Sequence, residues 1–271
     1  MKFKRLIALG LAAFTMVAFA AGCGSSADQK SGGDQLPKKI IVGLDDNFPP
    51  MGFRDEKGNL VGFDIDMAKE AAKRANMDIE FKPIDWDSKE AELKSKHIDV
   101  LWNGLTVTPE REKNMSFSTP YLISKQILVV KNDSPIQSVE DLKGKVVATQ
   151  QGSSAETVMD KDPDTKQFKA FKKYGDFVNA FMDLELGRVD AVVVDEVVGR
   201  YLMNKKPGTF RAIPDPKFGK EDSAIGFRKE DNALREKFNG ILKEMMNDGT
   251  ADKFAQKWFG TTTMLNKDAF K

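Results

Sequence analysis

The sequence predicts an α/β protein of two lobes, each a mixed β-sheet flanked by helices, joined by a hinge of two chain crossings. Three observations carry this expectation. Strand-like apolar runs alternate with helical periodicities from residue 40 onward. Several of those runs stop abruptly in polar or aromatic residues, as strands do at the carboxyl edge of an open α/β sheet. Two extended stretches, near residues 123–126 and 222–224, are placed to carry the chain out of a first half and back into it.

The 271 residues suffice for two medium α/β domains with real cores. Charged residues make up 31% with nearly balanced signs, which gives no electrostatic reason to expect nucleic acid. The first 22 residues stand apart. Lys2, Lys4 and Arg5 precede an apolar run over residues 6–19, and Ala20, Ala21 and Gly22 are small, so residues 1–22 read as a secretory signal. Cys23, the sole cysteine, follows where the bacterial lipobox places its lipidated residue, although Ala20 stands where leucine is usual. Cleavage after Ala20 instead would leave Cys23 a free thiol. Loss of residues 1–22 takes the formal charge from +1 to −2. Residues 24–37 are small and polar, a tether whose ends lie roughly 20 Å apart as a coil.

The folded part begins with a strand over residues 40–44, and Asp45 then leads to Phe48, held on a stiff loop by Pro49 and Pro50. Phe48 faces a crevice or packs on the core. Asp64 opens a helix whose apolar residues recur at helical spacing, and Asp64 and Asp66 read as cap and first-turn charges. A strand over residues 77–84 delivers Trp86, and a helix over 88–96 follows. Residues 98–102 form a buried strand from which Asn103, Gly104, Thr106 and Thr108 emerge. Pro109 suits a first helical turn, and Arg111 then offers a planar fork to a carboxylate. Phe48, Trp86 and residues 103–106 thus all sit at strand carboxyl ends, where an open sheet binds small ligands.

The second half repeats the pattern. A strand over residues 142–151 leads to Gly152-Ser153-Ser154 at a helix start, which suits either an anion or a plain cap. Residues 168–174, 177–186 and 189–194 read as strand, helix and buried strand. Asp195 follows the last of these, as a partner for a cation or as the N-cap of a helix over 196–203. Helices over 232–246 and 250–258 close the chain against the first lobe.

The segments GFDIDMAKE, IDVLWNGLTVTPERE with FSTPY after it, LKGKVVATQQGSS, GRVDAVVVDE, GFRKEDNALREKFN and DGTADKFAQKWFG resemble, in order and spacing, the extracellular solute-binding proteins of polar amino-acid ABC transporters. The resemblance runs from about residue 39 to 259. It implies the two-lobed periplasmic-binding-protein fold of type II, with lobe 1 over residues 39–124 and 225–271 and lobe 2 over 125–224. It further implies a monomer, lipid-anchored through Cys23 to the outer leaflet of the cytoplasmic membrane or else periplasmic. That monomer would close on a free amino acid and deliver it to a membrane permease with its ATPase. No cofactor or metal is expected.

Carried over residue by residue, Arg111 resembles the clamp for the α-carboxylate, helped by the Thr106 main chain and the Ser154 region. Asp195 resembles the acceptor of the α-ammonium, with Asn103, Gly104 and the Thr106 hydroxyl nearby. Phe48 and Trp86 match positions that sandwich the ligand side chain, and Asp45 one near its far end. Two aromatic faces and an acid suit a guanidinium or ammonium, so arginine or lysine is expected before cystine or glutamine. Asn103-Gly104 and Lys89 depart from the commoner residues, and an inward Lys89 would oppose a basic ligand.

The competing readings are a cleft enzyme of the same fold, similar to cyclohexadienyl dehydratase and using Asp45, Asp195 or Glu196, and a ligand-sensing domain. Residues 152–154 are not a nucleophile elbow. Asp160, Asp162 and Asp164 suggest a calcium loop, but Thr165 and Phe171 occupy positions that need Gly and Glu. His97 is expected in solvent.

Overall fold

The computed structural model describes residues 36–271 apart from 214 and 216. The signal segment, Cys23 and residues 24–35 of the tether lie outside the described residues. Among the described residues no helix is long and apolar enough to cross a membrane.

Lobe 1 is built on the strand Lys39–Leu44, which pairs in parallel with Asp78–Pro83 on one side and Val100–Leu101 on the other. Gly226–Phe227 and then Ser116–Phe117 extend the sheet antiparallel. The helix Phe63–Ala75 turns Met67, Ala68, Ala71 and Ala72 inward at helical spacing and packs on Asn232–Asn247 and Thr250–Phe259. It stops where Asn76 turns left-handed at φ 55° and its N–H caps the last carbonyls.

The six-stranded sheet of lobe 2 runs in the order Ala170–Tyr174, Val146–Gln150, Ala191–Asp195, Leu122–Lys131, Phe210–Ile213, with Lys220–Ser223 pairing off this path to Leu122–Lys131. The first three are parallel and the last two pairings antiparallel. The β-branched run at its centre is buried on both faces. Val192 and Val194 face Phe177, Phe181 and Leu184 of the helix Phe177–Glu185, whereas Ala191 and Val193 face Ala155 and Met159 of Ser154–Lys161. Strands covered on both sides read as continuous apolar sequence, and this one does.

The crossings are physically joined. The start of Leu122–Lys131 pairs antiparallel with Lys220–Ser223, in the register Ile123 to Asp222 and Leu122 to Ser223. Thr106 bridges to Ser223, and the Val107 N–H donates to the Asp222 carbonyl at 2.8 Å. On the other side, Leu122 bridges to Leu265 and the Ile123 N–H donates to the Met264 carbonyl at 2.8 Å.

Three local expectations are corrected. The strand expected over residues 98–102 is only Val100–Leu101: the Trp102 N–H makes a last bond to the Gly43 carbonyl at 3.2 Å, and the chain then turns at Asn103-Gly104, where Gly104 is left-handed at φ 59°. Trp86 lies on a short 3-10 turn, Trp86–Ser88, before the helix Lys89–Lys94. Asp64 does not cap its helix: its carboxylate accepts from the Gly104 N–H at 2.6 Å and the Tyr121 hydroxyl at 2.8 Å. The acidic loop is held by lysines, Asp162 and Asp164 by Lys217 and Asp160 by Lys173. His97 is exposed, with Nδ1 3.4 Å from Glu92.

Candidate functional site

Five parallel strands of the two lobes end at the same gap. Leu44 hands on to Asp45 and Phe48, Pro83 to Trp86, Leu101 to Asn103–Thr106, Gln150 to Ser153, and Val194 to Asp195. These ends close on a small cavity lined by Phe48, Trp86, Gly104, Thr106, Arg111, Gln150, Ser153, Ser154 and Asp195. Seven of the nine ligand residues expected from sequence therefore share one wall.

The other two stand one step behind. Asn103 turns its side-chain oxygen to the Asp45 N–H at 3.0 Å, which braces two strand ends of lobe 1. Asp45 reaches across the gap and accepts from Gln150 Nε2 at 2.6 Å, while Oδ1 accepts from the Asn47 N–H at 2.8 Å. Burial pushes the Asp45 carboxyl up to about 6, against the pull of those two donors.

Arg111 is buried on the four-residue helix Pro109–Glu112, with Pro109 in the first turn and the Thr108 hydroxyl accepting the Arg111 N–H at 3.2 Å. Nη1 donates to the Thr106 carbonyl at 2.8 Å and Nη2 to the Gly152 carbonyl of lobe 2 at 3.0 Å. These bonds occupy two of the five N–H groups of a guanidinium. Burial lowers the Arg111 pKa and the negative charge of Asp195 raises it. Across the cavity, Ser153 caps Ser154–Lys161 by accepting the Glu156 N–H at 3.0 Å. The first turn of that helix thus faces Arg111 from lobe 2.

Asp195 occupies the N-cap position of Glu196–Lys205, but its side chain does not cap. It is buried and its Oδ1 accepts from Gln126 Nε2 at 3.1 Å. Burial, and then the neighbouring carboxylate of Glu221, push the Asp195 carboxyl up to about 7. Phe48 and Trp86 both line the cavity. Phe48 lies 6.0 Å from Phe177 of lobe 2, and Trp86 is buried with the Lys89 ammonium 5.1 Å above its ring. Lys89 does turn inward: Nζ donates to the Gly152 carbonyl at 2.8 Å, and burial brings its pKa down to about 7.

Gln150, Gln126 and Glu221 were missed in the sequence, and Ser153 was read there only as part of the turn that opens a helix. For two of them a signal existed, because Gln126 and Gln150 are polar residues inside apolar strand runs and are fully buried. Such residues are found where a partner is provided.

Two sheets that present their carboxyl edges to each other across a single gap define a two-lobed solute-binding protein. Comparison with known proteins is more specific: residues 40–261 match the bacterial extracellular solute-binding proteins, family 3, and the chain belongs to that family. It is 38% identical to the arginine-binding extracellular protein of Bacillus subtilis (strain 168), over 94% of this chain and 98% of that one. It is 36% identical to the L-cystine-binding protein of Escherichia coli (strain K12), over 82% of each. The crystal structure of an ABC uptake transporter substrate-binding protein from Streptococcus pneumoniae with bound histidine superposes with a TM-score of 0.81 at 34% identity, covering 84% of this chain and 94% of that one. These relatives are binding proteins, and they lend no support to the cleft-enzyme and sensor readings.

Proposed function

We propose that this chain is the extracellular substrate-binding component of an ABC importer for a polar L-amino acid. The observation that carries the reading is that Arg111 of lobe 1 and Asp195 of lobe 2 line one buried cavity. A free amino acid needs a forked cation for its carboxylate and an acid for its ammonium, and these two residues meet both requirements from opposite sides. Arg111 clamps the α-carboxylate with the Thr106 main chain and the first turn at Ser154. Asp195 receives the α-ammonium, with the Gly104 carbonyl and the Thr106 hydroxyl beside it. A ligand gripped by both lobes stabilises their closure, because only contacts made in one state and not the other shift an equilibrium. The paired crossings, with lobe 1 over residues 39–124 and 225–271 and lobe 2 over 125–224, serve as the hinge. The closed form docks on a membrane permease, and a lipid on Cys23 keeps the monomer at the membrane surface.

Among side chains, Asp45, Phe48 and Trp86 favour arginine or lysine. The Lys89 ammonium over the Trp86 ring favours a second reading, a neutral polar ligand such as cystine or glutamine, since a cation already held by that ring opposes a cationic side chain beside it. Calorimetry of the mature chain, freed of copurified ligand, against the amino acids plus cystine and ornithine tests both. Saturable binding of at least one is expected. Binding of none overturns the assignment, and the order of affinities decides between basic and neutral ligands.

A further inference from the structure

The return crossing Lys220–Ser223 brings a carboxylate up behind the cavity wall, against Thr106 and Ser154, and no part of the ligand scheme above has used it. Glu221 Oε2 accepts from Gln126 Nε2 at 2.9 Å, from the Ser154 hydroxyl at 3.1 Å and from the Thr106 hydroxyl at 3.2 Å. Thr106 belongs to lobe 1, Ser154 to lobe 2, and Gln126 and Glu221 to the two crossings. One oxygen atom therefore ties together both lobes and both strands between them.

Hydrogen counting gives this oxygen a function. Gln126 Nε2 faces three acceptors, Ser154 Oγ at 3.0 Å, Asp195 Oδ1 at 3.1 Å and Glu221, yet an amide nitrogen carries only two protons. A hydroxyl carries one. The Thr106 and Ser154 hydroxyls also touch each other at 3.2 Å, but a carboxylate is the stronger acceptor and takes the proton it can reach. With their protons directed at Glu221, both hydroxyls have only lone pairs left to offer, and an α-ammonium is a donor on all three of its protons.

We propose that Glu221 is a positioning residue for the ammonium half of the site, orienting one hydroxyl from each lobe as an acceptor for the ligand's cation only when the lobes are together. This rests on the amino-acid reading above. It makes closure and cation recognition a single event, because separating the lobes pulls Thr106 and Ser154 away from a shared acceptor.

Glu221 also acts on Asp195 through charge. The charged groups facing the Asp195 carboxyl are Glu221 from the return crossing and Arg111 from lobe 1, and the uncharged Gln126 amide donates to it. Ammonium binding requires the ionised carboxylate. With Asp195 held near 7, affinity should fall as pH drops through 7. Removing the Glu221 charge lowers the Asp195 pKa and moves that fall to lower pH.

The test is calorimetric titration of the purified chain with L-arginine, L-histidine, L-cystine and L-glutamine across pH 5 to 8, roughly the range over which Asp195 titrates. Wild type, Glu221→Gln, Glu221→Asp, Thr106→Val and the Glu221→Gln/Thr106→Val double variant are compared. Glu221→Gln should weaken the tightest ligand about tenfold at the upper end of that range. It should also shift the fall in affinity to lower pH, and the loss should be less than additive with Thr106→Val. Glu221→Asp, too short to span both hydroxyls, should weaken binding in the same direction, and it carries the test if the glutamine variant does not fold. Unchanged affinity, an unmoved pH profile, or strict additivity with Thr106→Val overturns the proposal while leaving wild-type binding intact. Failure of the wild type to bind any of the four overturns the amino-acid reading and this inference with it.

Discussion

Lys89 of lobe 1 donates to the Gly152 carbonyl of lobe 2 at 2.8 Å, the same carbonyl that accepts from Arg111 at 3.0 Å. Two cations from one lobe thus converge on one main-chain oxygen of the other, and the Lys89 ammonium also lies over the Trp86 ring. Lys89→Met should remove that opposing cation and raise affinity for L-arginine relative to L-glutamine, by about threefold to tenfold from the worth of a cation–π contact. Since burial, and then Arg111, bring the Lys89 pKa down to about 7, the wild type should discriminate against arginine more at lower pH, where Lys89 is charged. Competition calorimetry at two pH values reads this, and a preference that does not respond to pH in the wild type would rule out the Lys89 effect.

Arg111→Ala should lower affinity for every amino acid by about a hundredfold or more, the usual cost of removing one half of a buried charge pair at an interface. Arg111→Lys should recover only part of it, because an ammonium lacks the planar fork. Titration with the preferred ligand measures both. Equal affinities for wild type and the alanine variant would remove the clamp.

Gly152 should resist any side chain. Its φ is +72°, and a Cβ would lie 2.9 Å from Asp87 Cα of the opposite lobe. Gly152→Ala then combines roughly 1–2 kcal/mol of left-handed backbone strain with a backbone collision that occurs only in the closed form. Affinity should fall about tenfold, and small-angle scattering with saturating ligand should report a wider molecule. A variant as compact and as tight as wild type would show that the lobes do not meet there.

The buried carboxyl of Asp64 predicts a pH dependence of stability. Burial pushes it up to about 7, against the Tyr121 hydroxyl and the Gly104 N–H. A carboxyl with a folded-state pKa above its unfolded one contributes stability that is complete below about pH 4 and lost as pH rises through 7. The thermal midpoint of the ligand-free protein should therefore fall over that window. Asp64→Asn should flatten the slope, whose single-group limit is about 1.4 kcal/mol per pH unit. Parallel wild-type and variant curves would show that Asp64 does not titrate there.

Much of this arrangement could be read from the chain. Alternating strand and helix periods gave both sheets, and Pro109 and Arg111 fell where a turn after a strand puts them. The failures share a cause. Asp64 has the spacing of a cap, and only the tertiary position of Gly104 and Tyr121, forty and fifty-seven residues on, draws it into the core. Glu221 sits in a stretch of lysines, aspartate and glycine that has the composition of a surface loop, and its neighbours across the crossing are over sixty residues away. Local pattern reports which face of an element is apolar. It does not report which distant polar group will be waiting.

The bonds from Met264 and Leu265 to the outgoing crossing bear on how the molecule is made. Both lobes have their strands and long helices by Phe259, so the remaining dozen residues arrive after the jaws exist and splint the strip that connects them. A chain cut short there would keep its two halves and lose the stiffness of the joint. A bulky tag fused at Lys271 would stand close to the residues that splint that strip.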